Sequence, residues 1–209
     1  MPRVDFPLYL VSDRHQTRGR PLVPLIRVAV EAGVRAVQLR EKDLDTRTLL
    51  GLAEEVLRIT RENRALLLVN ERLDLAMAAG GDGVHLRSSS IPVAVTRRIL
   101  GPDRVIGVSA HTVEEVFHAE ANGADFVVLG PVYETALKRG FGEPIGLRPI
   151  EEASRRCRIP VFAIGGVTVP RVREVRQSGA FGVAVISAIL SAPSVEFVTR
   201  QFLDALAAS

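Results

Sequence analysis

In the run Val37-Gln38-Leu39-Arg40-Glu41-Lys42, polar and apolar side chains alternate. As a strand, this run puts Gln38, Arg40 and Lys42 on one face and Val37 and Leu39 on the other, because successive side chains point to opposite sides. Two cations on a shared, partly buried face are costly unless an anion joins them, which points to a phosphorylated ligand. A salt-bridge network with acids elsewhere is the structural alternative. The same parity pairs His85 with Arg87 and Ser109 with His111, and Asn70 is followed directly by the carboxylate of Glu71. Two later runs end in Gly165-Gly166 and in Ile186-Ser187-Ala188. Glycine lets the backbone come close to a ligand, and main-chain N–H groups at such places hold a phosphate without lysine or arginine. Between them and the earlier runs lies Tyr133 to Gly146, a glycine-containing connection with Glu134, Thr135, Lys138 and Arg139, which reads as a lid.

The elements that must position these residues are legible as eight apolar, β-branched runs: 8–13, 36–42, 65–70, 83–87, 104–111, 126–132, 161–166 and 182–187. Helical spacing separates them. Leu49, Leu52, Ala53, Val56 and Leu57 form one amphipathic stripe, and Thr112 with Glu115 makes a capping box at the start of another helix. Pro149 and Pro170 fit first helical turns, and Gly33, Gly101 and Gly179 fit helix ends. Eight strands alternating with helices in 209 residues predict one domain over 1–209, a parallel sheet closed as a (β/α)8 barrel. In such a barrel the loops after strands seven and eight are the habitual phosphate site, which is where Gly165, Gly166, Ile186 and Ser187 fall. An open doubly wound sheet is the rival, but Asp13-Arg14-His15-Gln16 after the first run has no Gly-rich dinucleotide fingerprint.

Composition narrows the classes of function. With 47% hydrophobic and 24% charged residues the chain is an ordinary globular protein, neither disordered nor fibrous. No apolar run is long enough to span a bilayer, and Met1 to Pro7 holds charges and prolines in place of a signal core, so a cytoplasmic protein is expected. The formal charge is +3, but the basic residues are dispersed without interleaved aromatics, which argues against nucleic acid. Only Lys42 and Lys138 are lysines. The single cysteine, Cys157, has no partner for a disulfide and no companion soft ligands, so it is read as a buried thiol on a helix. Barrels of this type often self-associate, and a homo-oligomer is left open.

Taken in order, Gln38-Leu39-Arg40-Glu41-Lys42, Val69-Asn70, Gly107-Val108-Ser109-Ala110-His111-Thr112, Gly130-Pro131-Val132-Tyr133, Gly165-Gly166 and Ile186-Ser187-Ala188-Ile189 resemble the thiamine phosphate synthase/TenI superfamily over nearly the whole chain. The resemblance implies a (β/α)8 barrel that handles thiazole phosphates. It also implies one of two activities. The synthases join hydroxymethylpyrimidine pyrophosphate to thiazole phosphate with magnesium. They carry Asn-Asp after strand three and Gly-Gln-x-Asp after strand four, where this chain has Asn70-Glu71 and Arg87-Ser88-Ser89-Ser90. Of their Pro-Thr-x-Thr-Lys pattern, Thr135 and Lys138 survive in Glu134-Thr135-Ala136-Leu137-Lys138.

The TenI branch, whose chemistry is aromatising a carboxythiazole phosphate tautomer, is resembled by Asn70, Arg72 and Asp74 and by Tyr133-Glu134-Thr135 with Lys138. The leading expectation is therefore a TenI-like tautomerase, an isomerase that works without cofactor or metal. Pro131 stands where that branch has its acid/base histidine, so the candidates for the proton shift are Glu134, His111 and Glu71. The expected binding set is Gln38, Arg40, Lys42, Asn70, Ser109, Thr135 and Lys138, with the phosphate on Gly165, Gly166, Ile186 and Ser187. The alternatives are a thiamine phosphate synthase, with Glu71 carrying Mg2+, and a thiazole-phosphate-binding regulatory protein without a catalyst.

Overall fold

The computed structural model describes residues 4–135 and 143–209, in which eight parallel strands follow one another around a closed barrel in chain order. The strands are β1 (Leu8–Val11), β2 (Ala36–Leu39), β3 (Leu66–Asn70), β4 (Gly83–Leu86), β5 (Val105–Ala110), β6 (Phe126–Leu129), β7 (Val161–Ile164) and β8 (Gly182–Val185). Leu10 pairs with Val37 on one side and with Val185 on the other, which closes the sheet and leaves no edge. The helices α1 (Leu22–Glu31), α2 (Thr46–Glu62), α3 (Leu73–Ala79), α4 (Val93–Leu100), α5 (Val113–Ala121), α6 (Arg148–Arg156), α7 (Val172–Gln177), α8 (Ser187–Leu190) and α9 (Val195–Ala207) surround it. No helix among the described residues is long and apolar enough to cross a membrane.

Because the helices cover the outside and side chains fill the inside, the strands are buried on both faces. The outer apolar shell includes Val37, Leu39, Leu49, Ala53, Val56 and Leu57, the stripe read from the sequence of α2. The inner one is aromatic: Phe6, Tyr9, Phe126 and Phe162 stack in the lower barrel with ring centroids 5.3–6.2 Å apart. Phe6, from the segment before β1, plugs the bottom, so ligand access is from the C-terminal ends of the strands.

Three local details differ from expectation. Most strands end two or three residues early, and β2 shows why: the Arg40 N–H is taken by the Ser12 hydroxyl at 2.8 Å, so a side chain replaces a ladder carbonyl beyond Leu39. At α5, Thr112 accepts from the Glu115 N–H at 3.2 Å as a capping residue should, but the Glu115 carboxylate reaches back one residue further, to the His111 N–H at 2.6 Å. Cys157 is only half-buried and lies just past α6 in extended conformation rather than within a helix. Burial and the nearby Glu120 push its thiol up to about 11, which keeps it protonated and unreactive.

Candidate active site

At the C-terminal mouth of the barrel lies a cavity of about 490 Å³. Gln38, Arg40 and Lys42 all line it, so the parity read from the sequence survives although the strand itself stops at Leu39. Asn70, Ser109, Thr135, His111, Gly165, Gly166, Ile186 and Ser187 line it as well, joined by His85, Arg87 and Asp13. Glu71 and Glu134 are outside this lining, so His111 alone of the three nominated acid/base groups faces the cavity. Glu134 is exposed, at the end of the described chain before residue 136. Lys138, with residues 136–142 of the expected lid, lies outside the described residues.

One wall of the cavity is backbone. Gly165 and Gly166 have φ of +97° and +64°, in the left-handed region that side-chain-bearing residues rarely adopt. A Cβ on Gly166 would stand 2.7 Å from the Glu134 carbonyl oxygen and 2.8 Å from Tyr133 Cβ. The turn is braced from behind by Arg171, which donates to the Gly166 carbonyl at 2.6 Å and stacks its guanidinium over the Tyr133 ring at 4.2 Å. Tyr133 in turn donates to Glu174. The N–H groups of Gly166, Ser187 and Ala188 have no backbone acceptor among the described residues, which suits them to an anion.

The opposite wall is made of charged side chains on the ends of β2 and β4. Arg40 lies 3.9 Å from the Asp13 carboxylate. Its backbone is anchored through Ser12, whose hydroxyl donates to the Glu41 carboxylate at 2.6 Å. Glu41 is only 4% exposed and also accepts from the Arg14 N–H at 3.1 Å. Sequence reasoning missed Ser12, Glu41, Tyr9 and Arg171. Glu41 carried a signal, being a carboxylate inside an otherwise cationic run, but its role depends on a partner 29 residues away.

A largely buried relay forms part of the cavity floor, with Gln38, His85 and Ser109 at the lining and Tyr9 below them. Gln38 donates to the Tyr9 hydroxyl at 3.3 Å, Tyr9 meets His85 Nδ1 at 3.3 Å, and His85 Nε2 meets Ser109 Oγ at 2.9 Å. Burial, with help from the Arg40 charge and against the pull of Glu71, draws His85 down to about 3, so it is neutral near pH 7 and a poor proton acceptor.

Glu71 adopts φ +59°, and its two carboxylate oxygens are already occupied: Oε1 accepts from Ser90 Oγ at 2.7 Å, and Oε2 lies 2.7 Å from Arg87 Nε. Burial works to raise its pKa, but the hydrogen bonds from Ser90 and Arg87 and the Arg87 charge outweigh it and hold the carboxyl below its usual range. These residues do not fit a magnesium ion. A hard divalent cation wants several oxygen ligands, whereas here one carboxylate faces a guanidinium and a hydroxyl. No group of three or more His, Cys, Asp or Glu residues among the described ones is arranged to hold a metal.

Comparison with known proteins agrees with this architecture. The chain is 48% identical over 206 residues to a Geobacter sulfurreducens protein assigned provisionally as a thiamine-phosphate synthase, covering 99% of this chain and 97% of that one. It is 42% identical over 200 residues to the thiamine-phosphate synthase of Roseiflexus castenholzii, covering 96% and 88% respectively. Among solved structures, thiamine phosphate pyrophosphorylase from Pyrococcus furiosus superposes with a TM-score of 0.89 at 34% identity, covering 97% of this chain and 96% of that one. These relatives favour the synthase over the tautomerase that the sequence reading put first. Residues 8–189 match the family described as thiamine monophosphate synthase, and the chain belongs to that family.

Proposed function

We propose that the protein is a thiamine-phosphate synthase, a transferase that joins hydroxymethylpyrimidine pyrophosphate to thiazole phosphate and releases pyrophosphate. The observation that supports this reading is a cavity lined on one side by the main chain at Gly166 and Ser187 and on the other by the cations Arg40 and Lys42, two walls of different make that each suit an anion. A carboxythiazole phosphate would set only a single carboxylate against the cationic wall, whereas the condensation sets a diphosphate there, which matches a pair of cations better.

In the proposed reaction the thiazole ring nitrogen bonds to the exocyclic methylene carbon of the pyrimidine. The carbon–oxygen bond to the diphosphate breaks, and its electron pair leaves with pyrophosphate. No proton has to be removed from carbon, so Pro131 and the occupied Glu71 are no obstacle. For a tautomerase they are, because the ring proton would need a base and His111 alone of the nominated groups faces the cavity. The work left to this chain is positioning the substrates and neutralising the leaving group, with Arg40 and Lys42 where the negative charge grows. Gln38, Asn70 and Ser109 supply polar contacts between the two walls.

The test is to incubate the purified protein with both substrates in magnesium-containing buffer and follow pyrophosphate and thiamine phosphate. Product that depends on both substrates supports the synthase. An absorbance change on carboxythiazole phosphate alone, with no pyrophosphate release, would overturn it in favour of the tautomerase.

A further inference from the structure

Arg87, Ser90 and Glu71 form a closed ring at the cavity rim that the condensation chemistry leaves without a task. The Arg87 N–H donates to Ser90 Oγ at 2.9 Å, Ser90 Oγ donates to Glu71 Oε1 at 2.7 Å, and Glu71 Oε2 returns to Arg87 Nε at 2.7 Å. The Ser90 N–H closes the turn on the Arg87 carbonyl at 3.0 Å, and the Glu71 N–H is fixed to the His85 carbonyl at 2.9 Å. Glu71 holds its left-handed backbone in this setting. The side chain so fixed is a guanidinium, about half exposed, lining the same cavity as Arg40 and Lys42.

Resting on the synthase reading, we infer that Arg87, held in place by Glu71 and Ser90, binds the diphosphate of the pyrimidine substrate directly and stands in for a divalent cation. The charge pattern supports this. Relative to the Gly-Gln-x-Asp run of the synthases, Arg87 adds a positive charge and Ser90 removes a negative one. That is a local change of two units, equal to the charge of the ion. A guanidinium recognises phosphate oxygens through paired N–H donors and needs no carboxylate ligands around it. Glu71 thereby changes role from metal ligand to a group that positions the arginine through its 2.7 Å contact with Nε.

The readout separate from turnover is calorimetric binding of inorganic pyrophosphate in excess chelator. The wild-type protein should bind it, Arg87→Ala should weaken binding about tenfold or more, and Arg87→Lys should recover part of the loss, since lysine keeps the charge but not the fork. The double variant Arg87→Gly with Ser90→Asp should gain Mn2+ binding, read by electron paramagnetic resonance, that the wild type lacks. Thiamine phosphate formation by the wild type should survive chelation. The inference is overturned if pyrophosphate binds only with magnesium, if Arg87→Ala binds it in chelator as tightly as wild type, or if product forms only with magnesium. Absence of product with and without magnesium counts against the synthase reading instead, and the pyrophosphate measurement then decides the role of Arg87 alone.

Discussion

In the proposed synthase the two walls of the cavity recognise anions by opposite means. At β7 and β8 the recognition is main-chain, with no charged side chain in the turn itself and a cation, Arg171, placed behind the peptide where it braces the Gly166 carbonyl. At β2 and β4 it is side-chain, with Arg40, Lys42 and Arg87 at the cavity and acids behind them, Glu41 through Ser12 and Glu71 directly. A main-chain cradle is rigid and fits one phosphate of fixed shape. A set of long cations tolerates movement and suits a group that arrives esterified and leaves as free pyrophosphate. The difference makes the walls separable by mutation, each with its own substrate.

The largest effect is expected at Gly166. An added Cβ meets the Glu134 carbonyl and Tyr133 Cβ at under 3 Å, on a backbone with positive φ. Gly166→Ala should lower kcat/KM for thiazole phosphate about a hundredfold, close to 2.7 kcal/mol of transition-state stabilisation, with the circular dichroism spectrum unchanged. Arg40→Ala should strike the other substrate, reducing kcat/KM for the pyrimidine pyrophosphate about thirtyfold and leaving KM for thiazole phosphate within about twofold. Equal damage to both substrates by either variant would show that the walls are not divided as described.

How much of this was legible in the sequence follows from what each residue depends on. Alternation is a local rule, so Gln38, Arg40 and Lys42 could be assigned to one face from six consecutive residues, and that assignment holds even where the strand hydrogen bonding has ended. The glycine pair was legible for the same reason: two adjacent residues with freedom at positive φ, at the seventh strand end. Ser12–Glu41 and Arg171–Gly166 were not, because neither serine, glutamate nor arginine has a local pattern that names its partner. Glu71 shows the limit most clearly. As a carboxylate beside Asn70 it reads equally as base, metal ligand or ion-pair partner, and only the positions of Ser90 and Arg87, on the next strand's loop, exclude a free carboxylate. The leading tautomerase reading rested on such ambiguous residues, whereas the fold rested on eight repeated units.

A smaller effect is expected behind the main-chain wall. Arg171→Met removes both the donor to the Gly166 carbonyl and the guanidinium stacked over the Tyr133 ring. A charged hydrogen bond at a partly buried site predicts a rise of about five- to tenfold in KM for thiazole phosphate, with kcat nearly unchanged. If kcat falls instead, Arg171 acts on the reaction and not only on the cradle.

The smallest effect on catalysis is expected between the walls, at His85, whose consequence is in stability. Unfolded histidine takes up a proton near pH 6.5, while the folded side chain, buried and facing the Arg40 charge, resists until about 3. Below 6.5 the unfolded chain therefore binds the extra proton, and folding stability declines as pH falls. The slope from this group is at most about 1.4 kcal/mol per pH unit. Urea unfolding of wild type and His85→Gln between about pH 6.5 and pH 5, above most carboxylate titration, isolates it. The variant should show a flatter dependence over that interval. Glutamine has both a donor and an acceptor for Ser109 and Tyr9 but no proton to gain, so an unchanged slope would mean that His85 is not held neutral by its burial.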